Sequence, residues 1–418
     1  MLAISPNTPE VWIYTNCHSA DPSTWERRYV LAKHDSVVSA LDWHPVTNKL
    51  VTCSHDRSAF VWELRSGAAE WEPQITILPH RMACMDVRWS PDGLKFAVAS
   101  GSKKALIAFY EPTNNWWVAR ESRSHRSSVL SLAWHPSSQL LATVSADYKC
   151  RVLSAFVEGV DAAPATGTPF GALPAVAGEV LSEYEITRAW VNDVAWSPSG
   201  TALAFAGHDS LLHIVTFSGT AQPLLQTIKC PTLPAMRLIF LSEAALITAG
   251  HSLNPELYVC SASASASAGG AGSSAAALPL WSFATYLDKR PDASAGAKAV
   301  GGVAAARAMF ASKSSKGTSG GGAGGGGGDT DLWTKHQNAI MGIRGYSRKA
   351  GACAPHWCVC GGGGAAGIPT SLSLQPPLVT PLLTTTHPHP LHSARLLTLP
   401  WLCSCPWHSH QGSEHHWH

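Results

Sequence analysis

With 418 residues the chain is long enough for two or three average domains, or for one large closed repeat domain. Its 17 Trp outnumber 10 Phe and 8 Tyr, only 14% of residues are charged, and 35 Gly and 28 Pro punctuate it; this bias points to many short strands joined by turns, not to a helical bundle. A formal net charge of +2 excludes nucleic-acid binding driven by a whole-chain field, and no apolar run approaches the roughly 20 residues that insert across a membrane.

Taken in chain order, residues 2–5 and 10–14 read as the second and third strands of a blade whose first strand is missing, and a strand over 25–31 completes that truncated blade. Residues 1–10 carry no charged-then-apolar leader, so a cytoplasmic location is expected, with the 11 Cys as free thiols. A repeat then begins. Residues 38–45, ending in Trp43-His44-Pro45, recur as 84–91 with Trp89-Ser90-Pro91, as 129–136 with Trp134-His135-Pro136 and as 191–198 with Trp196-Ser197-Pro198. The Trp positions lie 46, 45 and 62 residues apart, and a weaker copy ends at Phe240, 44 residues further on. A period near 45 is that of a four-stranded propeller blade.

Each copy has one grammar: an alternating strand ending in an aromatic residue, a Pro-containing turn, then a strand of small residues at 50–54, 96–100, 141–145 and 203–207. Small residues suit the crowded inner part of a blade, and bulky aromatics fill the wider gaps between blades. Tight turns bearing Asp56, Asp147 and Asp209 lead into a third strand. His34 precedes Asp56 by 22 residues and His125 precedes Asp147 by the same number. In WD-repeat blades such spacing assembles a buried hydrogen-bond network, here expected from His34, Ser54, Asp56 and Trp62, and again from His125, Ser145 and Asp147, where Leu153 replaces the Trp and donates nothing. A His-Asp-Ser set also suggests a catalytic triad, but this one recurs once per repeat and has no nucleophile elbow. No catalytic, cofactor-binding or metal residues are therefore assigned, and the chain is not expected to be an enzyme.

Four full blades are expected over 34–78, 80–121, 125–186 and 187–228, the third enlarged by an Ala/Pro/Gly-rich insertion near 158–179. A degenerate blade spans 233–290, residues 291–328 form a flexible inserted projection, and the repeat restarts near His336. The grammar stops after about residue 350, and 351–418 read as a low-complexity tail. Translation of an unspliced intron or shifted frame is the preferred account of it, with a disordered extension as the second. A metal site is the third, disfavoured because Cys353, Cys358, Cys360, Cys403 and Cys405 do not follow the spacing of two C-x2-C pairs.

Several stretches resemble one family within the WD-repeat proteins: residues 34–62, 95–102, Asn114-Asn-Trp-Trp-Val118, 129–136, Asp147-Tyr-Lys-Cys-Arg-Val152 and Ala249-Gly-His251. They are similar to the WD-repeat subunit 1 family of the actin-related-protein 2/3 complex, from the N-terminus to about residue 350. The resemblance implies an all-β, seven-bladed WD-repeat β-propeller, its first blade truncated, its last incomplete and its C-terminal tail disordered. It also implies a noncatalytic scaffold at the actin cytoskeleton whose partners are actin-related proteins and other subunits of the complex, the actin filament and nucleation-promoting factors. The inserted projection would be a short helix contacting actin or such a factor through an Arg-x-x-Phe core, falling on Arg307 and Phe310, with Met309 where the family has a second basic residue. Loss of the opening strand and the final blade would leave an open edge. The competing expectation is a peptide-reading propeller in another, for example nuclear, complex, with Trp116 and Trp117 as an aromatic wall; packing between blades is the preferred use of that pair.

Overall fold

The computed structural model describes residues 1–17, 24–65, 70–165, 168–174, 176–217, 222–262, 279–288, 339–346, 356–361, 370–372 and 397–400. The elements among them are all strands, and no helix there is long and apolar enough to cross a membrane. The expected projection with Arg307 and Phe310, and most of the tail, lie outside the described residues.

The period near 45 is realised as a run of antiparallel four-stranded sheets, each strand pairing with the next in sequence. One sheet has eight strands, but it consists of two such units joined by the single pairing of Trp117 with Thr76. The innermost strands are Val38–Trp43, Cys84–Trp89, Val129–Trp134, Val191–Trp196, Ala235–Ser242 and Ile340–Tyr346. Each touches the innermost strand of the next unit, so they form successive staves of a propeller around one axis.

The first unit contains Leu2–Ser5, Glu10–Thr15 and Glu26–Ala32, and its inner position is taken by Leu397–Pro400, paired parallel to Leu2–Ser5. Leu397–Pro400 also touches Val38–Trp43 on one side and Ile340–Tyr346 on the other, which brings the ring of inner strands round on itself. The last unit has three strands, Ile340–Tyr346, His356–Gly361 and Thr370–Leu372.

Burial follows the taper that the small residues signal. Every residue of Leu50–Ser54, Lys95–Ser100, Leu140–Ser145 and Ala202–Gly207 is buried. Outer strands such as Leu224–Lys229 alternate between half-buried and exposed, as expected where one face packs on a neighbour and the other meets water. The aromatics close the gaps: Trp89, Phe96 and Trp117 pack with Val51, Cys53 and Val61 of the preceding unit. Trp117 lies within this core, edge-on to Trp89 at 5.5 Å between centroids, whereas Trp116 is exposed.

Two repeated devices fix one unit to the next. The N–H of Trp89 donates to Asp42 (2.8 Å), that of Leu132 to Asp86 (3.3 Å) and that of Leu238 to Asp193 (2.8 Å), so an inner-strand carboxylate hooks the backbone of a following inner strand. At the turns, His44 sits against Gly93 and His135 against Gly200. Both glycines have positive φ, +72° and +79°, and a Cβ at Gly200 would lie 2.0 Å from the His135 ring. Only glycine meets both the backbone and the space requirement there.

Candidate functional site

Buried polar networks hold turns in place at one end of two of the units. His34 lies before Val38–Trp43, and its Nδ1 is 2.8 Å from Asp56 Oδ2 while its Nε2 is 2.8 Å from Thr52 Oγ1. Trp62 Nε1 donates to the same Thr52 hydroxyl at 2.9 Å. Donors and acceptors then run in one direction: the Trp62 N–H to Thr52, the Thr52 O–H to His34 Nε2, and the His34 Nδ1–H to Asp56. That order requires the neutral Nδ1–H tautomer, assigned from the network.

Ser54 stands beside this relay. Its hydroxyl donates to the Ser36 carbonyl (2.9 Å) and accepts the Asp56 N–H (3.1 Å), which shapes the turn. Thr52 occupies the central place, and sequence reading did not single it out. The signal was available, since Thr recurs at 143, four residues before Asp147 as Thr52 is before Asp56. Both threonines are 0% exposed, so no substrate reaches either hydroxyl.

The second network has the same members wired in reverse. His125 Nε2 is 2.9 Å from Thr143 Oγ1, but Leu153 offers Thr143 no N–H, and the Thr143 hydroxyl donates to the Arg151 carbonyl at 3.3 Å. The threonine oxygen is thus free to accept from His125 Nε2–H. His125 Nδ1 then accepts from Arg151 Nη1 at 2.7 Å, and Arg151 takes over the contact with Asp147 at 2.8 Å, leaving His125 Nδ1 3.8 Å from that carboxylate. Ser145 shapes its turn by donating to the Ser128 carbonyl and accepting the Asp147 N–H. Asp209 heads a third turn without a loop histidine; Thr187 stands at that place, and Asp209 accepts the N–H groups of Arg188 (3.1 Å) and Leu211 (3.2 Å).

Burial pushes His34 and His125 below the ordinary histidine value, against the pull of Asp56 and Asp147 respectively, so both are neutral in the folded state at pH 7. Burial alone would raise Asp56, but the Ser58 hydroxyl and N–H and then His34 outweigh it and hold that carboxyl low. Replacing His34 by alanine leaves Thr52 and Asp56 without their shared partner, and is expected to cost about 1 to 3 kcal/mol. Urea denaturation of the variant beside the parent checks this, and coincident curves would show that the relay contributes nothing.

Around the axis lie further groups that sequence reading passed over. Ser131 Oγ donates to Asp193 (2.6 Å) and stands 3.2 Å from Asp86, which receives the Arg88 Nε at 3.3 Å. Burial raises the Asp42 and Asp193 carboxyls, opposed by Arg88 and Arg237. Among the described residues no three His, Cys, Asp or Glu side chains stand together as a metal site.

A model of the WD domain, G-beta repeat, matches residues 25–63, 118–154 and 178–215. Actin-related protein 2/3 complex subunit 1B of Arabidopsis thaliana is 39% identical over 320 residues, covering 76% of this chain and 78% of that protein. Subunit 1A-B of Xenopus laevis is 38% identical over 62% of this chain and 68% of its own length, and subunit 1 of Schizosaccharomyces pombe is 40% identical over 57% and 63%. With WD repeats folded as successive propeller units and this identity spread over three quarters of its length, the chain belongs to the family of actin-related protein 2/3 complex subunit 1.

Proposed function

We propose that this chain is a noncatalytic scaffold subunit of an actin-related protein 2/3 complex, supporting nucleation of branched actin filaments in the cytoplasm. The observation that carries the reading is the 39% identity over 320 residues to a protein named as that subunit. The polar networks support it in a second way, because they lock turns in place with buried hydroxyls. A rigid rim of this kind suits docking against other subunits.

Pull-down of the full chain from native cytosol is expected to bring both actin-related proteins with it, and their absence from the bound fraction would refute the proposal. Within it, Arg307 and Phe310 are assigned to a contact with actin or a nucleation-promoting factor. Phe310→Ala is expected to leave the melting temperature unchanged while weakening actin-linked binding about tenfold, the usual scale for losing one aromatic anchor. Equal co-sedimentation of variant and parent with actin filaments would remove that segment from the interface.

A further inference from the structure

Three turns of this propeller carry an aspartate that performs one task. Asp56 accepts the N–H of Asp35, the residue after the loop histidine, and the N–H of Ser58, two residues past itself. Asp147 accepts from Arg126 and Lys149 in the same way, and Asp209 from Arg188 and Leu211. In the unit that spans 80–121 the loop histidine is present as His80, but Ser102 stands at the aspartate position. The corresponding N–H groups are those of Arg81 and Lys104. Ser102 offers them no carboxylate, and among the described residues no other acceptor meets them.

The missing side chain leaves room. A pocket of about 480 Å³, largely open to solvent, lies there, lined by Leu78, Pro79, His80, Arg81, Ser102 and Lys104. His80 has turned away from the empty position: its Nδ1 is 3.1 Å from Ser100 Oγ and its Nε2 is 3.5 Å from Cys84 Sγ, because Val98 replaces the threonine of the other units. Lys104 Nζ is held by the Pro79 carbonyl and by Glu121, whose other oxygen takes Arg123. The Arg81 side chain is exposed at the cavity and makes no ion pair among the described residues.

We propose that this cavity binds a phosphate monoester on a phosphorylated side chain of a partner protein, which supplies in trans the anion that aspartate supplies in cis elsewhere. In three sister units the two equivalent N–H groups each meet one oxygen of a single carboxylate, and a pair of amides placed in this way favours an anion. A phosphate is favoured over a carboxylate for two reasons. The space exceeds that of the missing aspartate side chain, and the donors at hand, two N–H groups, the Ser102 hydroxyl and the forked Arg81 guanidinium, suit the three oxygens of a phosphate better than the two of a carboxylate.

The test uses the full chain and calorimetric titration with three probes: inorganic phosphate, a short phosphoserine peptide, and the same peptide with glutamate in place of phosphoserine. The phosphopeptide is expected to bind at least about tenfold more tightly than the glutamate peptide, with inorganic phosphate competing for the site. Ser102→Asp restores the internal carboxylate, so it is expected to raise the melting temperature and to reduce phosphopeptide affinity at least about tenfold, like charge now occupying the cavity. Arg81→Ala, at an exposed position, is expected to weaken the phosphopeptide without moving the melt. Equal phosphopeptide binding by parent and Ser102→Asp would overturn the proposal, as would absence of binding to the parent. Equal or tighter binding of the glutamate peptide would overturn the assignment to phosphate.

Discussion

Asp161→Ala is expected to lower the stability of the propeller by about 3 to 5 kcal/mol, the cost of stripping a buried ion of its partner. The ion is Lys95, 0% exposed in the middle of a unit, where an ammonium survives only if all its donors are used. Its Nζ lies 2.6 Å from each Asp161 oxygen and 2.9 Å from the Ala155 carbonyl, with the Trp134 ring centroid 5.8 Å away. Burial lowers the Lys95 pKa, while Asp161 opposes that shift through hydrogen bonding and charge. Removing Asp161 leaves the cation one carbonyl and a ring face, and also frees the Val157 N–H that the same carboxylate accepts at 2.6 Å. Lys95→Met in the Asp161→Ala background fills the site with an apolar chain of similar length, and is expected to recover more than half of the loss. The pair thus separates a charge effect from a packing effect. If Asp161→Ala alone unfolds in urea at the parental midpoint, the ammonium does not depend on Asp161.

Asp161 also shows where sequence reading stops. The four inner strands from Val38–Trp43 to Val191–Trp196 were legible because each ends in the same aromatic and the same Pro turn, and the strand that follows needs small residues wherever the propeller narrows. Those are local demands, repeated, and repetition exposes them. The insertion near 158–179 has no counterpart in the other units, so nothing in its composition tells that Asp161 reaches a lysine 66 residues away. The inner position of the first unit reads as vacant in the sequence; Leu397–Pro400 takes it by pairing parallel to Leu2–Ser5, and backbone pairing leaves no mark on side-chain pattern. In the polar networks the turn aspartates and loop histidines were legible through their spacing of 22 residues. Thr52 was not, because Ser54 offers the same hydroxyl two residues nearer to Asp56 and, two places along the strand Leu50–Ser54, lies on the same face, so alternation alone does not choose between them.

Arg151 stands at the place held by Phe60 in the sister unit, four residues past the turn aspartate. Phe60 meets His34 edge-on at 4.8 Å between centroids and asks nothing of the polar relay. Arg151, 2% exposed, instead bonds Asp147 at 2.8 Å, His125 at 2.7 Å and Glu183 at 2.7 Å. Arg151→Phe is therefore expected to cost about 3 kcal/mol at pH 7, near the low end for a broken buried pair because His125, 3.8 Å from Asp147, is able to turn and donate to it. Adding Leu153→Trp rebuilds the Phe60 and Trp62 arrangement and supplies Thr143 with an N–H, so the double variant is expected to be more stable than Arg151→Phe alone. The pH dependence distinguishes this from a simple loss of packing. Burial by itself raises the Asp147 carboxyl, but the Arg126 N–H and the Arg151 guanidinium, both bonded to it, outweigh burial and hold the group well below the usual carboxylate range. A carboxyl depressed in the folded state adds stability that is present above its unfolded value near 4 and is lost as pH falls toward the folded value. Arg151→Phe removes part of that contribution, so the gap between variant and parent should be widest at neutral pH and narrow below about pH 4. Denaturation midpoints measured from pH 7 to pH 3 read it directly, and a gap that stays constant across this range would mean that Arg151 acts through its volume and not through its charge.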